Sequence, residues 1–169
     1  MRLSSVKIVL GIDPGFGRTG IGVIEIKGSD TVYLYHDCIS TAASLPFAER
    51  LRIIRDEINL VIEKFKPDVV AIEKLFFQTN VKTAIDVGMA RGVIILCVGD
   101  ACLPMVELTP NEVKQAIAGY GNADKKQMQS MVARLLGLKE VPKPDDAADA
   151  LAIAMAGAGV YKTRQRLGL

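Results

Sequence analysis

The run Pro144-Asp145-Asp146-Ala147-Ala148-Asp149-Ala150-Leu151-Ala152 constrains this chain more than any other stretch. It opens a helical run of small residues, Ala147 through Ala158. Asp146 and Asp149 are three apart, so on a helix they point to the same side. Two like charges on one face of such a helix oppose folding unless something positive sits between them. A divalent metal is the simplest candidate. The plainer account is an ordinary helix start, because Pro144 precedes the aspartates and acids favour a first turn. The rest of the chain has to decide between the two.

Composition narrows which metal. There is one histidine, His36, and the three cysteines Cys38, Cys97 and Cys102 lack metal-ligand spacing. A histidine-based metal site or a Ser-His-Asp triad is therefore disfavoured. Any metal chemistry has to be oxygen-ligated, which favours magnesium or manganese. The odd, sparse cysteines suit a reducing cytoplasm. Apolar runs fall short of a membrane span, no leader pattern opens the sequence, and 169 residues suit one domain, 1–169, with a flexible tail from about residue 162. Net charge is only +2, but Lys114, Lys125, Lys126, Arg134, Lys139 and Lys143 crowd the segment before the aspartates. A basic flank beside an acidic cluster suits a polyanion brought to a metal. A solvated helical face is the bland alternative.

Read in order, Val6 to Ile12 is an apolar run ending in Asp13-Pro14-Gly15, a buried strand entering a turn. Thr19 to Ile26 and Thr31 to Ser40 read as two more strands, joined by the turn Lys27-Gly28-Ser29-Asp30. The three form an antiparallel meander. Pro46 to Phe65 carries a helical apolar stripe, Leu51, Ile54, Ile58, Val61, Ile62 and Phe65. Val69 to Ile72 is a short buried strand ending at Glu73, and after a helical crossover it should lie parallel to an earlier one. Val81 to Gly99 is a helix apolar on more than one side. Its Ala84, Gly88 and Gly92 recur every fourth residue, which fits close approach of another helix, in the core or in a partner. Pro104 to Leu108 is a further strand. Thr109-Pro110-Asn111-Glu112 carries a capping-box pattern for a helix to about Ala118. Asp124 to Leu136 is another helix. The last runs from Asp145, favoured as its N-cap, to about Tyr161. The order is a mixed sheet with helices on its faces.

Asp13 and Glu73 each end a strand. If those strands are parallel neighbours, their ends share one edge of the sheet. A helix starting at Asp146 and Asp149 can pack across that edge. Four carboxylates from three distant segments then meet. Two hard cations about 3.5–4 Å apart, held by such carboxylates, suit in-line displacement at phosphorus, one activating water and one steadying the leaving oxygen. Singly, Asp13 could be a turn residue and Glu73 a solvated strand end.

These residues carry a family resemblance. Gly11-Ile12-Asp13-Pro14-Gly15 with Thr19-Gly20-Ile21-Gly22-Val23 resembles the first motif of RuvC, the bacterial Holliday-junction resolvases. Ala71-Ile72-Glu73-Lys74-Leu75-Phe76 resembles the second. Ala90-Arg91-Gly92, Val113-Lys114-Gln115 and Asp146 to Ala152 are similar to later motifs, in the family order. The resemblance implies an α/β, RNase H-like fold built on a mixed five-stranded sheet, and a homodimer. It also implies Mg²⁺-dependent paired nicking of four-way DNA junctions that leaves 5′-phosphate and 3′-hydroxyl ends. Two ions per subunit are expected, with Mn²⁺ able to substitute, held by Asp13, Glu73, Asp146 and Asp149. Lys114 and Lys125 would contact the scissile phosphate or steady developing charge. Phe76 would stack on an unpaired base at the junction centre, with Phe77 a second candidate and core packing under a loop the alternative. Lys82 and Lys126 complete the candidate DNA-binding set. RuvA and RuvB, the branch-migration proteins, are the implied partners.

Other readings stay open at this point. An actin-like or sugar-kinase ATPase also opens with a strand, an Asp and a glycine-bearing hairpin, but needs two such lobes. A relative of the same fold could act on another nucleic acid, or bind without cutting. A structural dimerisation module rests only on Ala84, Gly88 and Gly92.

Overall fold

Alternation along the central strands dictates a layered architecture. In Val9-Leu10-Gly11-Ile12 and Val69-Val70-Ala71-Ile72, successive residues face opposite sides, and all four of Val9, Leu10, Val70 and Ile72 are fully buried. Such strands need cover on both faces. The computed structural model describes residues 8–75 and 81–168, and supplies that cover.

Three strands open the sheet: β1 (Ile8–Asp13), β2 (Arg18–Lys27) and β3 (Asp30–Ser40). They form the expected antiparallel meander, with Gly28 at φ 64° in the β2–β3 turn, where a side chain would be strained. Helix α1 (Phe47–Phe65) leads to β4 (Val69–Glu73), which pairs parallel to β1. Helix α2 (Val81–Asp100) leads to β5 (Met105–Leu108), parallel to β4. Three helices follow: α3 (Pro110–Ala118), α4 (Lys125–Leu135) and α5 (Asp145–Leu167). The sheet order is β3-β2-β1-β4-β5, so β1 and β4 are central.

Two cores result. On one face, Leu10, Ile12, Ile21, Val23, Val70 and Ile72 meet Ile54 and Ile58 of α1 and Ile94 of α2. On the other, Val9, Ile24, Ala71, Val106 and Leu108 meet α3, α4 and α5. There α5 lies almost in backbone contact with the strands. A Cβ built on Gly11 would stand 2.1 Å from the Ala150 carbonyl oxygen, one on Gly20 1.9 Å from that of Asp146, and one on Gly22 2.5 Å from the Leu151 nitrogen. Alanines on the helix and glycines on the strands together permit this approach.

Two expectations need correction at α5. The helix does not end near Tyr161, and the segment expected to be a flexible tail from about residue 162 continues it to Leu167. Helix-compatible residues run through Lys162-Thr163-Arg164-Gln165-Arg166, and Gly168 at φ 71° makes the C-cap. At the other end Pro144, not Asp145, is the N-cap, and no side chain caps the helix. Asp145 is the first helical residue and pairs instead with Lys125 at 3.2 Å. The capping boxes of α3, on Thr109 and Glu112, and of α4, on Asp124 and Gln127, are both formed. Among the described residues, no helix is long and apolar enough to cross a membrane.

Candidate active site

Parallel pairing of β1 with β4 aligns Ile12 with Ile72, so the next residues, Asp13 and Glu73, stand side by side at the strand ends. Neighbouring strands are roughly 4.8 Å apart, which puts the two carboxylates within mutual influence. The turn after Asp13 is pinned. Thr19, fully buried, donates its hydroxyl to the Gly15 carbonyl at 2.6 Å, and the Thr41 hydroxyl donates to the Phe16 carbonyl at 2.6 Å. Behind Glu73, Nε of Arg91 donates to the Glu73 backbone carbonyl at 3.3 Å, and its guanidinium also pairs with Glu107. Close contact of α5 with Gly20 and Gly11 brings the first turn of that helix over the same strand ends.

A cavity of about 260 Å³ lies where these elements meet, lined by Asp13, Glu73, Asp149, Lys114 and Lys125 over an apolar floor that includes Val113, Met128 and Ile153. Lys114 comes from α3, and Lys125 opens α4. Burial pushes the Asp13 carboxyl up to about 8, with Glu73, Asp149 and Asp146 adding to the rise and Lys125 opposing it. Glu73 is pushed up to about 7 by burial and by Asp149, against Lys114. Asp149 is raised by burial as well, with Lys125 working the other way. Lys125 lies 3.6 Å from Asp149, and its hydrogen bond holds Asp145 below the usual carboxylate range.

Asp146 is placed differently. It does not line the cavity, and its carboxylate meets Arg18 at 2.7 Å. Among the described residues, no three His, Cys, Asp or Glu side chains already gather tightly enough for a ready coordination shell. Asp146 is paired with Arg18 and Asp149 with Lys125, so each cation supplies part of the positive charge the site demands. The donor set nonetheless fits a hard divalent cation. It is all oxygen, it is half-buried, and burial, reinforced by repulsion among the acids, raises the Asp13 and Glu73 carboxyls well above the ordinary range. A cation would replace protons on those carboxyls.

The chain therefore gathers Asp13, Glu73, Asp149, Lys114 and Lys125, with Asp146 at the rim. Lys126 is turned to a different groove. Phe76 and Phe77 lie outside the described residues, as does the side chain of Lys82. Sequence reasoning missed Arg18 and gave Arg91 no role. Arg18 stands between Gly17 and Thr19 in a motif read only for its glycines and Asp13. The partners of Arg91 are 16 and 18 residues away, beyond any local pattern.

A family model described as "Crossover junction endodeoxyribonuclease RuvC" matches residues 9–157. The chain belongs to the RuvC family. A RuvC protein from Thermotoga maritima is 52% identical over 146 residues, 86% of this chain and 87% of that protein. One from Desulfitobacterium hafniense is 50% identical over 161 residues, 95% of this chain and 98% of that one. Among solved structures, RuvC from T. thermophilus in complex with a Holliday junction substrate superposes with a TM-score of 0.88 at 37% identity, covering 93% of this chain and 96% of that one. The fold is RNase H-like, as expected. The yeast mitochondrial Holliday junction resolvase shares it at a TM-score of 0.66 and 16% identity. The ATPase reading is not favoured by a match spanning nearly the whole RuvC-family chain.

Proposed function

We propose that this RuvC-family chain, as a single nuclease domain over residues 1–169, resolves four-way DNA junctions by paired nicks. Its catalytic centre is the cluster of Asp13, Glu73, Asp146 and Asp149. The observation that carries this is the convergence of β1, β4 and α5 carboxylates on a cavity that also presents two lysines. Asp13, Glu73, Asp146 and Asp149 would hold Mg²⁺, two ions per subunit, with Mn²⁺ able to substitute, and such ions would supply water activation and stabilisation of the leaving 3′-oxygen. The chain does the rest. Asp13 and Glu73 hold their positions through the strand pairing, and Asp149 through α5. Lys114 and Lys125 bind the scissile phosphate and offset charge developing on it. Arg18, paired with Asp146, would have to give up that carboxylate for it to serve an ion. Phe76 or Phe77 stacks on an unpaired base, and Lys82 and Lys126 hold backbone phosphates.

A second copy of the chain completes the enzyme, because a four-way junction offers two equivalent strands. The outer face of α2 supports this. Ile85, Met89 and Leu96 are about half exposed or more, and a Cβ on Gly88 or Gly92 would meet nothing within 4 Å. The family resemblance extends the partners to RuvA and RuvB and the setting to the cytoplasm.

Cleavage of synthetic four-way junctions against linear duplex, with Mg²⁺ or with EDTA, tests the reading. Symmetric cuts in the junction alone, abolished by EDTA, are expected. Asp13→Asn and Asp146→Asn should each lose cleavage and keep junction binding. Full cleavage by either variant sinks the metal-centre assignment.

A further inference from the structure

On the side of α4 turned away from the active-site cavity lies a groove of about 380 Å³, lined by Tyr120, Lys126, Gln127, Ser130, Met131 and Arg134. The helix divides its own residues between the two hollows. Lys125 and Met128 face the catalytic cavity, while Lys126, Gln127, Ser130 and Arg134 face the groove. No acid lines it. Among the described residues, neither Lys126 nor Arg134 forms an ion pair, although Arg18, Arg91 and Lys125 all do. Two exposed cations without acids thus face one groove. Tyr120 adds an aromatic ring, 47% exposed, on the α3–α4 connection. That connection holds its shape at both sides of the tyrosine. Gly119 sits at φ 82° as the C-cap of α3, and a Cβ on Gly121 would stand 2.1 Å from Asn111 Oδ1.

Unpaired cations, a hydroxyl, an amide and an exposed ring, without a carboxylate, are the chemistry that grips a nucleic-acid backbone. Spacing agrees. Lys126 and Arg134 are eight residues apart, about 12 Å along the helix, which corresponds to between three and four base-pair steps of about 3.4 Å. Position agrees too, because Lys125 at the catalytic cavity and Lys126 at the groove are adjacent residues of one helical turn.

We propose that this groove is a second DNA-binding site, which holds the backbone of the junction arm leading away from the scissile phosphate. Lys126 and Arg134 contact phosphates three to four steps apart, and the Tyr120 ring packs against the arm. This rests on the junction reading above. It assigns DNA-binding roles to Tyr120 and Arg134, which lie outside the catalytic cavity, and gives Lys126 a distinct site of action.

The test is equilibrium binding of the full chain to a synthetic four-way junction in EDTA, so that nothing is cut, across a salt series. Each phosphate contact contributes roughly 0.9 to the slope of log K against log salt. Lys126→Ala/Arg134→Ala should lower the slope by nearly two such contacts. Between about 50 and about 200 mM salt, the variant should then lose about tenfold less affinity than the unchanged protein. Lys126→Arg/Arg134→Lys, which keeps both charges, should restore the slope. Tyr120→Ala should weaken binding with the slope unchanged, and Tyr120→Phe should not. An unchanged slope in a double-alanine variant that melts like the unchanged protein overturns the groove assignment. Absence of junction binding by the unchanged protein itself overturns the junction reading instead, so the two failures are distinct.

Discussion

The two faces of the sheet are packed by opposite means. Against α1 and α2, large side chains interdigitate: Ile12, Ile21 and Ile72 meet Ile54, Ile58 and Ile94. Against α5, large side chains such as Leu151 and Ile153 still pack, but at Gly11, Gly20 and Gly22 helix backbone rests on strand backbone. Flexible side chains can absorb a change in volume by altering rotamers, whereas a backbone contact has nothing that can yield. The face whose helix carries Asp146 and Asp149 is the one with the least slack. Ordinary burial stabilises the chain on the first face. The second face converts packing into position, fixing Asp146 and Asp149 relative to Asp13 and Glu73.

The sharpest way to break this contrast is Gly20→Ala. One added carbon would meet the Asp146 carbonyl at 1.9 Å, forcing the first turn of α5 off the strand. Destabilisation of roughly 3 kcal/mol is expected. A shift of about 1 Å in Asp146 should lower junction cleavage by about 100-fold in the protein that still folds. Ile54→Ala on the opposite face removes more atoms and should also lose about 3 kcal/mol, by creating a cavity. Its cleavage rate per folded molecule should match that of the parent. Equal losses of rate in the two variants would erase the distinction between the faces.

A smaller effect should appear in the pH dependence of stability. The folded-state carboxyls of Asp13 and Glu73 lie near 8 and 7, well above their ordinary values, so between about pH 4 and 8 the folded chain binds more protons than the unfolded one. The stability tied to those protons is present at low pH and lost as pH rises through the folded values. Without divalent ions, the contribution of this pair should therefore fall from pH 5 to pH 8. Asp13→Asn should flatten the slope, as read by thermal melts in EDTA. A slope identical to that of the parent would remove Asp13 from the buried cluster.

Smallest of all should be the effect of Arg18→Ala on stability. Its ion pair with Asp146 is half exposed on the arginine side, and such pairs contribute under about 1 kcal/mol. The same substitution removes a cation that competes for Asp146, so Mn²⁺ should bind the DNA-free protein about twofold to fivefold more tightly by calorimetry. Weaker binding would mean that Arg18 supports the ion site rather than guarding it.

The order of elements was legible because each leaves a local mark. Hydrophobic period separates α1 from the strands, and capping boxes mark α3 and α4. Asp13 and Glu73 were legible because strand ends next to turns are local features, and parallel pairing brings such ends together. What was not legible depended on contacts across the fold. Arg18 finds Asp146 across 128 positions, and Arg91 of α2 holds the Glu73 backbone carbonyl at the end of β4. Asp145 looked like a cap because its partner, Lys125, belongs to a different helix. The end of α5 was missed for a simpler reason: after Tyr161 the apolar pattern stops, but helix-forming residues continue to the Gly168 cap. The alanines of α5 looked like a helix in want of a counter-charge. Their size has a separate cause, the bare glycine strands beneath them.

That bare contact also bears on which ion the acids can share. Helix α5 is seated at Gly20 near its start and again at Gly157, where a Cβ would stand 2.3 Å from the Ala71 methyl carbon. A helix seated at its start and again at its middle resists sliding that would widen the gap between Asp149 and the strand termini. Mg²⁺ bonds to oxygen at about 2.0–2.1 Å and demands a near-octahedral shell, whereas Ca²⁺ needs about 2.3–2.6 Å and more ligands. A frame that resists stretching would discriminate by ionic radius, so under the proposed function the same glycines that let the helix approach would also set the gauge for the metal.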